Sequence, residues 1–161
     1  MTASVSAGRA CNTVQPSDFR VEILHKEAST AEAAKARGQH SLPTRSGVPA
    51  VGVHLILDLF GATELAHIEL VETTLRGCVV AAGATLMHIH LHRFEPGGGI
   101  SGVAVLAESH ISIHTWPEAE YAALDIFMCG QARPERCIEV ILDAFKPQRA
   151  VMEQILRGRA A

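Results

Sequence analysis

Residues 107–118 read Ala-Glu-Ser-His-Ile-Ser-Ile-His-Thr-Trp-Pro-Glu, and they set the reading of everything around them. Two acids, two serines, two histidines and the chain's single tryptophan, Trp116, fall in this short span. Apolar segments flank it at 103–107 and 121–128. The stretch therefore reads as a reactive segment held between two buried strands. In extended chain, even steps share a face, so His110, Ser112 and His114 point the same way. Ser109 and His114, an odd step apart, point to opposite sides.

Working outward, residues 85–94 and 100–107 are apolar-rich runs joined by Glu95-Pro-Gly-Gly-Gly99, which predicts two strands around a glycine-rich turn. Before them, Leu65, Ile68, Val71, Leu75 and Val79 recur every third or fourth residue. That period predicts an amphipathic helix over 63–82 with its stripe toward a sheet, stopped by Gly83. Val53, Leu55, Leu57 and Leu59 alternate along a first strand over 53–60. Downstream of the central stretch, 121–128 is another strand. Pro134 opens a second helix carrying Cys137, Ile138, Ile141, Leu142 and Phe145 on one side. Lys146-Pro147 ends that helix, and 149–156 alternates as a last strand.

The order strand, helix, several strands, helix, strand predicts an α+β fold, a mainly antiparallel sheet with helices on one face. The other face is left to solvent or to a second copy of the chain, and its apolar density favours a homodimer. Residues 1–48 fit no packed element well. They predict a flexible N-terminal extension, with a weak helix over 19–37, ahead of one domain over 49–161.

Composition narrows the class of function. The chain has 161 residues, about one domain, and a formal charge of −3 without a basic cluster, which argues against nucleic acid as a partner. No apolar run reaches the ~20 residues of a membrane span, and no hydrophobic leader opens the chain. Cys11, Cys78, Cys129 and Cys137 are widely spaced, with no CxxC pair. Reduced thiols in a cytoplasmic protein are expected.

Several residue groups compete for the chemistry. His88, His90 and His92 share one face of a strand, but they span roughly 13 Å at ~3.3 Å per residue. Zinc–nitrogen bonds are ~2.0–2.1 Å, so one flat strand does not bring all three to one ion. A polar strand face is the better reading, and no metal is expected. Ser109 or Ser112 with His114 suggests a hydrolase, yet no Gly-x-Ser-x-Gly elbow is present. Cys129 closes an apolar strand before Gly130, where a buried small hydrophobe and an exposed reactive thiol are both open readings. Cys78 and Cys137 read as structural. Gly97-Gly98-Gly99 lacks the ending of a phosphate loop and reads as a hairpin turn.

The text Ser101-Gly-Val, then Glu108-Ser-His-Ile-Ser-Ile-His-Thr-Trp-Pro-Glu118, then Tyr121-Ala-Ala and Asp125-Ile-Phe-Met-Cys-Gly130 resembles the prokaryotic S-adenosylmethionine decarboxylase family. The resemblance covers roughly residues 50–158. It implies self-cleavage between Glu108 and Ser109, with Ser109 converted to a pyruvoyl group. That ketone would form a Schiff base with the substrate amine and accept electrons as carbon dioxide leaves, without an external cofactor. It further implies His114 and Ser101 as processing residues and Cys129 as the proton donor to product. Glu118, Phe94 and Trp116 would contact the substrate nucleoside. The implied assembly is a homodimer that stacks two sheets between helix layers as an αββα sandwich. The 95–101 segment is one residue longer than the family's spacing, which bears on the place of Phe94. Relatives with the same processing centre act on ornithine or arginine, and these are carried as the second reading of the substrate.

Overall fold

The computed structural model describes residues 20–25, 44–45 and 48–159. Its centre is β4 (Gly52–Phe60), where Val53, Leu55, Leu57 and Leu59 are buried and the alternate residues only partly so. Complete burial of each such leucine stabilises by roughly 1.5–3 kcal/mol, which fixes which face of the strand turns inward. The remaining strands are β1 (Arg20–His25), β2 (Thr44–Arg45), β3 (Val48–Pro49), β5 (Leu86–Arg93), β6 (Ile100–Leu106), β7 (Ser109–Trp116), β8 (Tyr121–Cys129) and β9 (Arg149–Arg157). The main sheet runs β1-β9-β4-β8-β7-β6-β5. All its pairs are antiparallel except β1 with β9.

Helices α1 (Ile68–Ala82) and α2 (Cys137–Phe145) lie together on the face that carries Leu55, Leu57 and Leu59. The helix expected from residue 63 begins five residues later. Glu64 has a left-handed φ of 62°, which an α-helix does not contain. Thr63 is tied instead to the end of α2, its amide donating to Phe145 O at 2.8 Å. Gly83 ends α1 in the left-handed conformation that a C-terminal cap requires, φ 69°.

Two expectations change. Residues 109–116, expected as a segment between strands, are themselves a strand in the body of the sheet. Ile111, Ile113 and Thr115 turn into the core, and that alternation outweighs the polar residues between them. Residues 20–25, placed in a weak helix and a flexible extension, form β1 instead. Their backbone pairs in parallel with β9, from Arg20 opposite Arg149 to His25 opposite Gln154. The edge of β9 offers unpaired backbone groups, and Val21 and Ile23 are β-branched, which suits them to that edge. The rest of the expectation for 1–48, apart from the short β2–β3 pair, lies outside the described residues.

The sheet face away from the helices carries His54, Ile56, Asp58 and Phe60 of β4, and Tyr121, Asp125 and Phe127 of β8. His110, Ser112, His114 and Trp116 of β7 share it, as do Ser101, Val103 and Val105 of β6. His88, His90 and His92 complete it on the edge strand β5. No described element covers this face. No helix among the described residues is long and apolar enough to cross a membrane.

Candidate active site

The β6–β7 hairpin turns on Ala107 and Glu108 alone. Glu108 takes a left-handed φ of 61° to make so short a turn, at a cost of roughly 1–2 kcal/mol for a residue with a side chain. Strain therefore sits on the residue whose carbonyl carbon Ser109 would attack. Two groups of Cys129 meet this hairpin. The Cys129 amide donates to Ser109 Oγ at 3.2 Å, and its thiol donates to the Glu108 carbonyl at 3.2 Å. Ser109 Oγ and Cys129 Sγ are 3.6 Å apart. The amide fixes Ser109 Oγ beside the Glu108 carbonyl, and the thiol on that carbonyl polarises it and stabilises the negative charge that attack would develop on its oxygen. Both interactions favour attack of Ser109 Oγ on its own preceding carbonyl.

A cleft of about 430 Å³ opens beside the hairpin, lined by Leu106, Glu108, Ser109, His110, Phe127 and Arg157. Behind it runs a polar chain not anticipated from the sequence. Arg157 donates to His54 Nδ1 at 3.2 Å, His54 Nε2 lies 3.1 Å from Asp125 Oδ1, and Ser112 Oγ donates to Asp125 Oδ2 at 3.4 Å. Arginine can only donate, so His54 Nδ1 accepts and its Nε2–H is left to donate to Asp125. The sequence did carry a signal for it: His54 and Asp125 interrupt otherwise apolar strands. Phe127 lies over Gly52, where a Cβ would stand 2.9 Å from the ring. A larger groove of about 900 Å³ between α1 and α2, lined in part by Thr73, Glu139 and Asp143, contains none of the expected site residues.

The other expected residues gather at the opposite end of β7. Ser101 and His114 are cross-strand partners, with Ser101 Oγ 2.8 Å from His114 Nδ1. Trp116 stacks at 5.3 Å on Tyr121 and lies 6.2 Å from the His114 ring. Phe94 follows β5, meets His92 edge-on at 4.6 Å and is half exposed. The longer 95–101 segment is absorbed in a turn after Phe94, closed by the Phe94 amide to Gly99 O and the Gly98 amide to Phe94 O, both 2.8 Å. Glu118 sits in the 3-10 turn Pro117–Ala119, with its carboxylate beside Gly97. From Ser109 to His114 the strand rises about 16 Å. The expected site residues thus fall into two groups: Glu108, Ser109 and Cys129 at one end, and Ser101, His114, Phe94, Trp116 and Glu118 at the other.

Two titrations stand out elsewhere. Burial, with the hydrogen bond to Asp58 and its charge, raises the Tyr121 phenol to about 12. The hydrogen bond with the Cys137 thiol, reinforced by burial, pushes the Cys78 thiol far up, and both cysteines are fully buried. Among the described residues, no group of His, Cys, Asp or Glu is placed to hold a metal ion. His88, His90 and His92 share a face, as their spacing predicts.

Fold and hairpin together define a class: a two-layer α+β protein with a strained two-residue turn, Ala107-Glu108, directly before Ser109. Residues 53–158 match the family model described as S-adenosylmethionine decarboxylase. An S-adenosylmethionine decarboxylase proenzyme of Thermomicrobium roseum is 44% identical over 110 residues, covering 68% of this chain and 95% of that protein. One of Methanococcus vannielii is 48% identical over 111 residues, covering 67% and 90%. The crystal structure of the adenosylmethionine decarboxylase from Aquifex aeolicus superposes with a TM-score of 0.60 at 34% identity, covering 68% of this chain and 92% of that one. The chain belongs to the S-adenosylmethionine decarboxylase family.

Proposed function

We propose that the chain is a proenzyme that cuts itself between Glu108 and Ser109 and then decarboxylates S-adenosylmethionine, yielding an aminopropyl donor for polyamine synthesis in the cytoplasm. The observation that carries this reading is the contact of Cys129 with both reacting groups, its amide on Ser109 Oγ and its thiol on the Glu108 carbonyl. Attack of Oγ exchanges the amide for an ester, and elimination and hydrolysis then leave residue 109 as a pyruvoyl group. The cleft suits that product: the new ketone would replace the serine side chain beside Cys129, opening onto space lined by Phe127 and Arg157. A pyruvoyl ketone supplies the electron sink for decarboxylation, so no external cofactor is needed. Cys129, already at the reacting residue, is the proton donor to product. Ser101 and His114 serve the elimination, and Phe94, Trp116 and Glu118 hold the nucleoside and its sulfonium.

These roles need two copies. In one chain His114 lies a strand's length from Ser109, whereas two sheets stacked by their uncovered faces about a twofold axis would bring the Ser109 end of one against the His114 end of its partner. The active unit is a homodimer of processed chains. Intact-mass analysis is expected to show two chains dividing at 108/109. Carbon dioxide release, measured in parallel, is expected from S-adenosylmethionine and not from ornithine or arginine. A single uncut chain inert to carbonyl reagents overturns the processing reading, and release from ornithine or arginine alone overturns the substrate.

A further inference from the structure

Self-cleavage creates a charge that the intact chain does not have. In the elimination step the Ser109 Cα loses a proton and the Cβ–O ester bond breaks. The electron pair of that bond departs on the Glu108 α-carboxylate. Residue 109 is left as dehydroalanine, which takes up water and releases ammonia to become the ketone. The leaving group is therefore a new carboxylate, formed on a residue that already carries one, inside a cleft of about 430 Å³.

Arg157 is the one arginine or lysine among the residues lining that cleft. Three features hold it there. Its strand position pairs with Gly52, which in turn pairs with Cys129, so Arg157, Gly52 and Cys129 form one row across the sheet. Its guanidinium stands 5.9 Å over the Phe127 ring, and Phe127 occupies the space that the missing side chain of Gly52 leaves. One N–H is anchored on His54 Nδ1, and His54 is itself anchored on Asp125. The planar fork keeps further donors on the same rigid group for a carboxylate.

We propose that Arg157 is the counter-cation of self-processing, stabilising the Glu108 carboxylate as it leaves Ser109 and retaining the cut end in the cleft afterwards. The proposal rests on the self-cleavage reading above and assigns a step within it. Arg157 acts on the second stage, elimination, and leaves the first, amide-to-ester exchange, to Ser109 and Cys129. His54 and Asp125 are positioning residues that aim the fork.

The test follows processing by intact mass in wild type, R157Q and R157K. The uncut fraction is then denatured and treated with hydroxylamine, which splits an ester at 108/109 and spares an amide. R157Q is expected to process about 10- to 100-fold more slowly, the worth of one charge-assisted hydrogen bond. Its uncut chain is expected to be largely hydroxylamine-labile, R157K to fall between, and added guanidinium ion to accelerate R157Q alone. Cleavage of R157Q at the wild-type rate overturns the proposal. So does slow cleavage with a hydroxylamine-resistant chain, which places the residue before the ester. If R157Q does not fold, H54A is read instead: it keeps the cation and removes its anchor, so ester must accumulate there, and a wild-type rate is again fatal. Absence of any 108/109 cut in wild type fails the self-cleavage reading itself, a result distinct from all of these.

Discussion

Ser101 and His114 face each other across β6 and β7 with Oγ and Nδ1 2.8 Å apart, yet His114 lies about 16 Å along β7 from the serine that the pair would help to convert. This separation turns a question about catalysis into one about assembly. A chain with Ser109→Ala keeps an intact Ser101–His114 pair, and one with His114→Ala keeps an intact Ser109. Each alone is expected to stay uncut. Refolded together, they are expected to yield cleavage in the His114→Ala chain only, which mass labelling of one partner detects. A mixture that stays wholly uncut, while sedimentation shows mixed dimers, argues that processing occurs within one protomer.

Cys129 meets the Glu108–Ser109 hairpin twice, through an amide that truncation of its side chain keeps and a thiol that truncation removes. Cys129→Ala loses the donor to the Glu108 carbonyl but keeps the amide on Ser109 Oγ. Processing is expected to slow about tenfold, the worth of one hydrogen bond near 1.4 kcal/mol. Turnover of the processed fraction is expected to fall about 10²- to 10⁴-fold, the usual contribution of a positioned proton donor. Comparing the rate of mass conversion with carbon dioxide release per pyruvoyl group separates the two losses.

Gly52 makes room for the wall of the cleft. A Cβ there would stand 2.7 Å from the Met128 carbonyl and 2.9 Å from the Phe127 ring, and the carbonyl belongs to backbone that cannot swing aside. Gly52→Ala is expected to destabilise by about 1–3 kcal/mol, as overpacking does, and to tilt Phe127 into the space beside Ser109. Thermal unfolding checks the first effect. Slower cleavage at a temperature where the variant is fully folded checks the second.

Tyr121, the chain's single tyrosine, bonds Asp58 across β8 and β4 on the uncovered face. Burial first, and Asp58 second, raise the phenol from its ordinary 10.0 to about 12. A value raised by folding means that the fold favours the protonated phenol. The contribution is complete below pH 10 and is lost as pH climbs through about 12. Stability is therefore expected to decline over that window, with phenolate absorbance rising late. In Asp58→Asn both changes should begin at lower pH. A phenolate signal centred at the ordinary value in the folded protein contradicts the assignment.

Most of the architecture was legible because it is written in periodicity. The period of two in Val53, Leu55, Leu57 and Leu59, and the period of three to four in Val71, Leu75 and Val79, are each set by the burial of one face. The polar density of 107–118 concealed a strand, because its buried half, Ile111, Ile113 and Thr115, is no more apolar than the pattern requires. The strand at Arg20–His25 was missed for another reason: its partner lies more than a hundred residues away on β9, beyond the reach of any local pattern. The chain Arg157–His54–Asp125 brings together three strands, and no local window contains more than one of its members.

The sequence by itself determined the family resemblance on which the proposed hairpin chemistry rests. Its motif carries a serine after a glutamate and a cysteine at the end of another strand, and the covalent order of residues fixes which bond Ser109 would attack. Only the tertiary structure decided which groups stand at that bond. Side-chain reach is a few ångströms and a strand rises about 3.3 Å per residue, so a histidine five positions away on the same strand cannot serve its own serine. Register across β4, β8 and β9 brought Cys129 and Arg157 to Glu108 and Ser109, while the same regularity held Ser101 and His114 apart from them.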